Sequence, residues 1–179
     1  TMLNSWGFSG MGFGAAGVLG AKLAAPDKTC VSIVGDGSFT MVPHVLCTAV
    51  EYDIPVVWVL WNNFGWASIR DIQLGMFGGR ELGTMFHQGA NKTPYNPDFA
   101  GWAKAAGADA LTITKSKDFT AALEHAVTAP TNFQLAVPVD AEIRPPATGT
   151  WQLPPTPYNE PAFGKAWLPG SRSEERRVG

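Results

Sequence analysis

Two apolar runs in this chain each break off at a polar turn, and the distance between the two breaks dictates how the chain must fold. Val31-Ser32-Ile33-Val34 runs into Gly35-Asp36-Gly37-Ser38, and Pro55 to Trp61 runs into Asn62-Asn63. The interval holds one helix: Val42, Val45, Leu46, Ala49 and Val50 share one face at a 3.6-residue period. Asp53 and Pro55 stop that helix. Strand, turn, helix and strand in this order read as a parallel unit, with both polar turns at the same end of the sheet.

The rest of the chain repeats the alternation. Ala15–Ala25 reads as a helix of small residues able to pack closely on a sheet, ended by Pro26-Asp27. A helix-like segment covers Trp66 to Leu74, and residues 75–95 form a long glycine-rich loop, which inside a domain is more often functional than idle. Asn96-Pro97-Asp98 starts a helix to Ala106, with Gly107 past its end. Ala110–Ile113 reads as a strand, Ser116 as the cap of the next helix, and Phe133–Val139 as the last strand. The expected fold class is therefore α/β, a mostly parallel sheet with helices on both faces.

Composition narrows the function classes. At 179 residues with 45% hydrophobic and 16% charged side chains, the chain can bury a core as about one domain. The net charge of −2 gives no footprint for nucleic acid or an anionic membrane. No run of apolar residues is long enough for a membrane helix, so a cytoplasmic location is expected. His44, His87 and His125 lack metal-ligand spacing, and Cys30 and Cys47 read as buried thiols rather than a disulfide framework.

The two turns carry the chemistry. Asp36 offers a carboxylate and Asn63 an amide oxygen, the kind of ligand that Mg²⁺ takes from protein while keeping water and phosphate in its remaining positions. Gly35 and Gly37 let backbone N–H groups approach a phosphate. A rival reading uses Gly12-Phe13-Gly14-Ala15-Ala16-Gly17, which matches the G-x-G-x-x-G pattern of a nicotinamide-dinucleotide site, with Asp36 at the end of the following strand. It requires a strand before the glycines, which residues 1–6 do not resemble, and it leaves Gly-Asp-Gly-Ser and Asn-Asn unexplained.

Gly35-Asp36-Gly37-Ser38, followed by Asn62-Asn63 after one helix and one strand, resembles the diphosphate-binding motif of thiamine diphosphate (ThDP) enzymes, with the acetolactate synthase and 2-oxo acid decarboxylase group the nearest. The resemblance runs from about Leu3 to Asp140. It implies that Asp36, Asn63 and the Gly65 carbonyl hold Mg²⁺, and that Gly37 and Ser38 hydrogen-bond the diphosphate. Gly7-Phe8-Ser9-Gly10-Met11-Gly12 resembles the loop that holds the aminopyrimidine, where the Ser9 carbonyl accepts from the amino group and Met11 wedges under the bent cofactor. Gly35, Gly10 and Trp66 complete the implied cofactor set.

The resemblance also implies a 2-oxo acid substrate and a decarboxylase or carboligase reaction. The activating Glu is expected on a pyrimidine-binding domain of a partner subunit in a homodimer or homotetramer. No catalytic residue is expected within these 179 residues, which are expected to be inactive alone; a non-catalytic ThDP-binding subunit is the third reading. Where acetolactate synthases carry Gln-Trp-Gln, this chain has Asp71-Ile72-Gln73, which weighs against that activity. Phe64, Trp66 and Met76-Phe77-Gly78-Gly79-Arg80 are the residues expected to shape a substrate pocket, with Arg80 and His87 weaker candidates, Asn62 expected to be structural in closing the turn, His44 a surface or packing residue, and Trp58 and Trp61 in sheet packing.

Domain boundaries follow from composition. Residues 1–168 are expected to be one ThDP-binding domain, of which the proline-rich 141–168 form an extended arm. The charged run 169–179 ends Arg172-Ser173-Glu174-Glu175-Arg176-Arg177-Val178-Gly179 and resembles the conceptual translation of a sequencing adapter, so it is expected to be a non-native tail.

Overall fold

Four strands whose hydrogen-bonding register brings Gly35 opposite Trp61 set the frame of this protein. The structure, a computed structural model, describes residues 1–5, 9–89 and 93–143. The main elements, in chain order, are α1 (Phe13–Ala24), β1 (Val31–Gly35), α2 (Asp36–Phe39), α3 (Val45–Glu51), β2 (Val57–Asn62), α4 (Ala67–Met76), β3 (His87–Gln88), β4 (Thr93–Pro94), α5 (Phe99–Ala105), β5 (Asp109–Thr112), α6 (Phe119–Thr128) and β6 (Phe133–Pro138). The main sheet has the order β1-β2-β6-β5, and every pairing in it is parallel.

Helices cover both faces, as the alternating sequence implied. On one face α1, α3 and α5 bury Ala15, Val18, Leu46, Ala49, Phe99 and Ala103 against Val34, Trp58, Leu60 and Ala136. The close approach of α1 explains its small residues: a side-chain carbon at Gly14 would stand 3.4 Å from Val34 and 3.5 Å from Ser32 Oγ. On the other face α6 lays Ala122 and Ala126 on Val57, Val59, Phe133 and Leu135. Burying side chains of this size contributes about 1.5–3 kcal/mol each, so the central strands β2 and β6 anchor the domain.

Several local expectations need correction. The helix expected from Val42 begins at Val45, because Asp36–Phe39 forms its own short helix and Val42 sits in the turn between. Ser116 does not cap α6; it opens a 3₁₀ turn over Ser116–Asp118, and the helix proper begins at Phe119. The loop over 75–95 contains order: β3 and β4 pair antiparallel, and Gly65 bridges to Met85. Cys47 is exposed and Cys30 half-buried, because Cys47 lies on the outer side of α3 and Cys30 at the strand entry. Trp58 packs in the core as expected, but Trp61 is 48% exposed. It shares a face with Ile33, 76% exposed, beyond the reach of α6.

Asp98 caps α5 by accepting from Gly101 N–H at 2.8 Å, so the Asn-Pro-Asp start was legible. Among the described residues no helix is long and apolar enough to cross a membrane. Within 141–168, only Ala141–Ile143 belongs to the described residues, and 169–179 lies outside them entirely.

Candidate functional site at the carboxyl ends of β1 and β2

Parallel register decides where the polar turns meet. Gly35 pairs with Trp61, so the next residues, Asp36 and Asn62-Asn63, leave the sheet side by side. Asp36 is 1% exposed. Its Oδ1 accepts from Gly37 N–H at 2.9 Å and its Oδ2 from Gly65 N–H at 2.9 Å. Burial pushes this carboxyl above its ordinary value, and backbone N–H bonds from Gly37, Gly65, Phe64 and Asp36 itself pull in the opposite direction.

Asn63 completes a convergence of oxygens. One atom of its side-chain amide lies 2.9 Å from the Gly65 carbonyl oxygen and 3.1 Å from Asp36 Oδ1. With nitrogen in that place, the amide donates to both. With oxygen in that place, a carboxylate, an amide and a carbonyl oxygen face one another with no proton between them. That is the donor set of a hard cation, and one amide rotation interconverts the two arrangements. Three ligands implied from sequence, 36, 63 and 65, are thus brought together.

The glycines are required by close approach. A side-chain carbon on Gly37 would strike the indole of Trp66, whose Nε1 donates to the Gly37 carbonyl at 3.2 Å. One on Gly65 would strike the backbone of Thr84 and Met85. Trp66 is itself held edge-on by Phe86, with ring centroids 4.9 Å apart. The segment after Asn63 is further fastened by Trp66 N–H to Thr84 O at 2.7 Å and Phe86 N–H to Phe64 O at 2.8 Å.

The second implied loop adjoins the first. Gly12 N–H donates to Ser38 Oγ at 2.8 Å, so the hydroxyl of Ser38 joins the Gly-Asp-Gly-Ser turn to the segment Ser9-Gly10-Met11. Its hydrogen stays available to an external acceptor. Ser9 and Gly10 are exposed, and Met11 is 43% exposed on the same approach. Gly7 and Phe8 of that loop lie outside the described residues. Gly35 has open space around its α-carbon. The dinucleotide pattern fares worse: Gly14 and Gly17 lie inside α1, and no strand precedes that helix among the described residues.

Beyond the turns, α4 buries none of its side chains. Arg70 binds Glu81 at 3.0 Å and Glu142 at 2.9 Å, and Gln73 exchanges hydrogen bonds with the Leu82 backbone at 3.0 and 3.1 Å. These bonds fasten the segment after Arg80 to the helix. Ile72 lies on α4 and is half exposed, His87 is exposed on β3, and His44 is exposed in the turn before α3.

Asn62 closes the turn in the structural role expected of it, but sequence reasoning missed its partner Asn96. Asn62, 1% exposed, accepts from Phe64 N–H at 3.2 Å and donates from Nδ2 to Asn96 Oδ1 at 2.8 Å. Asn96 was legible only as part of a helix start, because its partner stands far away in sequence.

Comparison with known proteins places the chain in one family. Residues 1–137 match the family described as thiamine pyrophosphate enzyme, C-terminal TPP binding domain. The chain is 36% identical over 121 residues to 3D-(3,5/4)-trihydroxycyclohexane-1,2-dione hydrolase of Halalkalibacterium halodurans, covering 68% of this chain and 19% of that one. It is 35% identical over 126 residues to the acetolactate synthase large subunit of Corynebacterium glutamicum, covering 70% and 20%. Sulfoacetaldehyde acetyltransferase of Castellaniella defragrans is 34% identical over 128 residues, covering 72% and 20%. Among solved structures, the thiamine diphosphate-dependent 4-hydroxybenzoylformate decarboxylase of Rhodococcus jostii superposes with a TM-score of 0.66 at 28% identity, covering 74% of this chain and 24% of that one. The chain thus spans about a fifth of the length of the curated relatives it matches.

Proposed function

The chain belongs to the thiamine pyrophosphate enzymes and carries their C-terminal TPP-binding domain, and from that premise we propose that it holds Mg²⁺-ThDP for a decarboxylase or carboligase acting on a 2-oxo acid. The observation that carries the reading is the Asn63 amide standing between two oxygens, 2.9 Å from the Gly65 carbonyl and 3.1 Å from Asp36 Oδ1.

On this reading each residue has a definite task. Asp36, Asn63 and the Gly65 carbonyl ligate Mg²⁺, and the cation neutralises the buried Asp36 charge. Gly35, Gly37 and Ser38 meet the diphosphate through backbone N–H groups and the Ser38 hydroxyl. Trp66 closes the turn over Gly37. Ser9 offers its carbonyl to the aminopyrimidine, Gly10 leaves room for the ring, and Met11 supports the cofactor from below. The cofactor, when bound, supplies the electron sink for carbon–carbon chemistry.

The relatives with this domain are named as a hydrolase, a synthase, an acetyltransferase and a decarboxylase. The domain is therefore shared across reactions, and substrate choice rests on its surroundings. On this reading Phe64, Trp66 and the segment Met76–Arg80 shape a pocket for a 2-oxo acid. The Glu that activates the cofactor comes from a pyrimidine-binding domain of a partner subunit in a homodimer or homotetramer, in the cytoplasm, and the 179 residues alone do not turn over pyruvate.

Titration calorimetry of the purified chain tests this. ThDP should bind in the presence of Mg²⁺ and lose most of its affinity in EDTA. Binding of NAD without metal, and none of ThDP with it, would replace this reading with the dinucleotide one.

A further inference from the structure

The loop that carries Asn63 and Gly65 is held against its own preference. Phe64, between the two, has φ 65°, a left-handed conformation that costs an aromatic residue on the order of 1 kcal/mol or more. Such a backbone persists only when its surroundings over-determine it. The bonds around Phe64 identify those surroundings. Its carbonyl accepts from Phe86 N–H at 2.8 Å, and its N–H donates to Asn62 Oδ1 at 3.2 Å while also facing the Asp36 carboxylate.

The Asn62 amide can serve Phe64 only in one orientation. Rotated by half a turn, it would present its NH₂ to the Phe64 N–H, donor against donor. The strand does not choose between the two, because the Asn62 backbone carbonyl is already engaged by Val139 N–H at 2.8 Å and is independent of the side chain. What chooses is the acceptor on the far side: Asn62 Nδ2 donates to Asn96 Oδ1 at 2.8 Å. With an acceptor there, the Asn62 oxygen must point to Phe64. Asn96 precedes Pro97, which is buried just before α5 and fixes its own φ, so the backbone beside Asn96 is restrained.

We propose that Asn96 is a positioning residue for the cation site, acting through Asn62 and the Phe64 backbone to aim Asn63 and the Gly65 carbonyl at Asp36. This rests on the reading of that site as the Mg²⁺-ThDP site. Asn96 touches neither cation nor cofactor; it fixes the amide that fixes the loop. Outer partners of this kind are worth about 10- to 100-fold in metal affinity.

The test compares Asn96→Ala, which removes the acceptor, with Asn96→Asp, which keeps an oxygen for Asn62 Nδ2. Two readouts are taken on the full chain: Mn²⁺ affinity by electron paramagnetic resonance in the presence of ThDP, and amide hydrogen exchange at Phe64 without metal. Asn96→Ala should weaken Mn²⁺ at least about 10-fold and speed exchange at Phe64, while Asn96→Asp restores both. Asn96 is exposed and outside the core, so neither change threatens folding. Native affinity and native Phe64 exchange in Asn96→Ala would overturn the inference alone. Failure of the native chain to bind Mn²⁺ with ThDP would overturn the site reading and this inference together.

Discussion

Gly65 donates its backbone N–H to Asp36 Oδ2 at 2.9 Å although 29 positions separate them in the chain. The same glycine turns its carbonyl to the Asn63 amide, 2.9 Å away. One residue thus orients the carboxylate with its nitrogen and adds a candidate ligand with its oxygen. The arrangement depends on Gly65 lying flush against Thr84 and Met85, where any side chain would collide.

Asp36→Asn should abolish Mg²⁺-dependent ThDP binding in a chain that still folds but is less stable, since the new NH₂ faces the N–H of Gly37 or Gly65. Asparagine keeps the shape but halves the acceptor capacity and removes the charge. Calorimetry with ThDP and Mg²⁺ is the check, with circular dichroism as the control for folding. Undiminished affinity would remove Asp36 from the site.

Metal binding should oppose the effect of pH on this carboxyl. Burial raises the Asp36 value in the folded chain. For a carboxyl raised on folding, the protonated form favours the fold, and that contribution is lost as pH rises from the unfolded value through the folded one. A cation takes the place of the proton. The rise in Tm caused by Mg²⁺ alone should therefore be smaller at about pH 5 than at about pH 8. An equal rise at both, measured by scanning calorimetry, would mean the metal does not compete with a proton at Asp36.

Gly37→Ala should destabilise the chain by about 1–3 kcal/mol, because the new methyl group meets the Trp66 indole and breaks its bond to the Gly37 carbonyl. Trp66→Ala removes the obstacle, so the double variant should lose less than the sum of the single changes. Urea midpoints of the four proteins measure the coupling. Simple additivity would show that the two residues do not press on each other.

Gln134 lies wholly buried in β6, and neither its Nε2 nor its Oε1 has a hydrogen-bond partner among the described residues. Removing a buried polar group that is left unpaired relieves a cost of about 1–3 kcal/mol. Gln134→Met has nearly the same volume and should raise stability by about 1 kcal/mol or more. A lowered urea midpoint for Gln134→Met would show that the native amide has an unseen partner, such as a buried water.

Much of the fold was present in local patterning. The apolar runs at 31–34 and 55–61 and the helical spacing of Val45, Leu46 and Ala49 are short-range signals, and each became the expected element. Asp36 and Asn63 could be read as partners because a parallel unit returns both strands to the same end. The helix start at Asn96-Pro97-Asp98 could be read because the bond from Gly101 N–H to Asp98 that fixes it spans a single turn.

Other features depended on which surfaces meet. Cys47, Trp61 and Ile33 are apolar in the sequence yet exposed, since only packing decides which side of an element faces a neighbour. The tether from Gly12 to Ser38 and the chain from Asn96 through Asn62 to Phe64 join residues far apart in sequence. Periodicity and turn chemistry act over a few positions, so the order of elements and the residues at the strand ends were readable along the chain. The aim of those residues arises in the folded chain: hydrogen-bond direction is set by long-range partners, and a one-dimensional pattern does not encode which distant amide stands within about 3 Å.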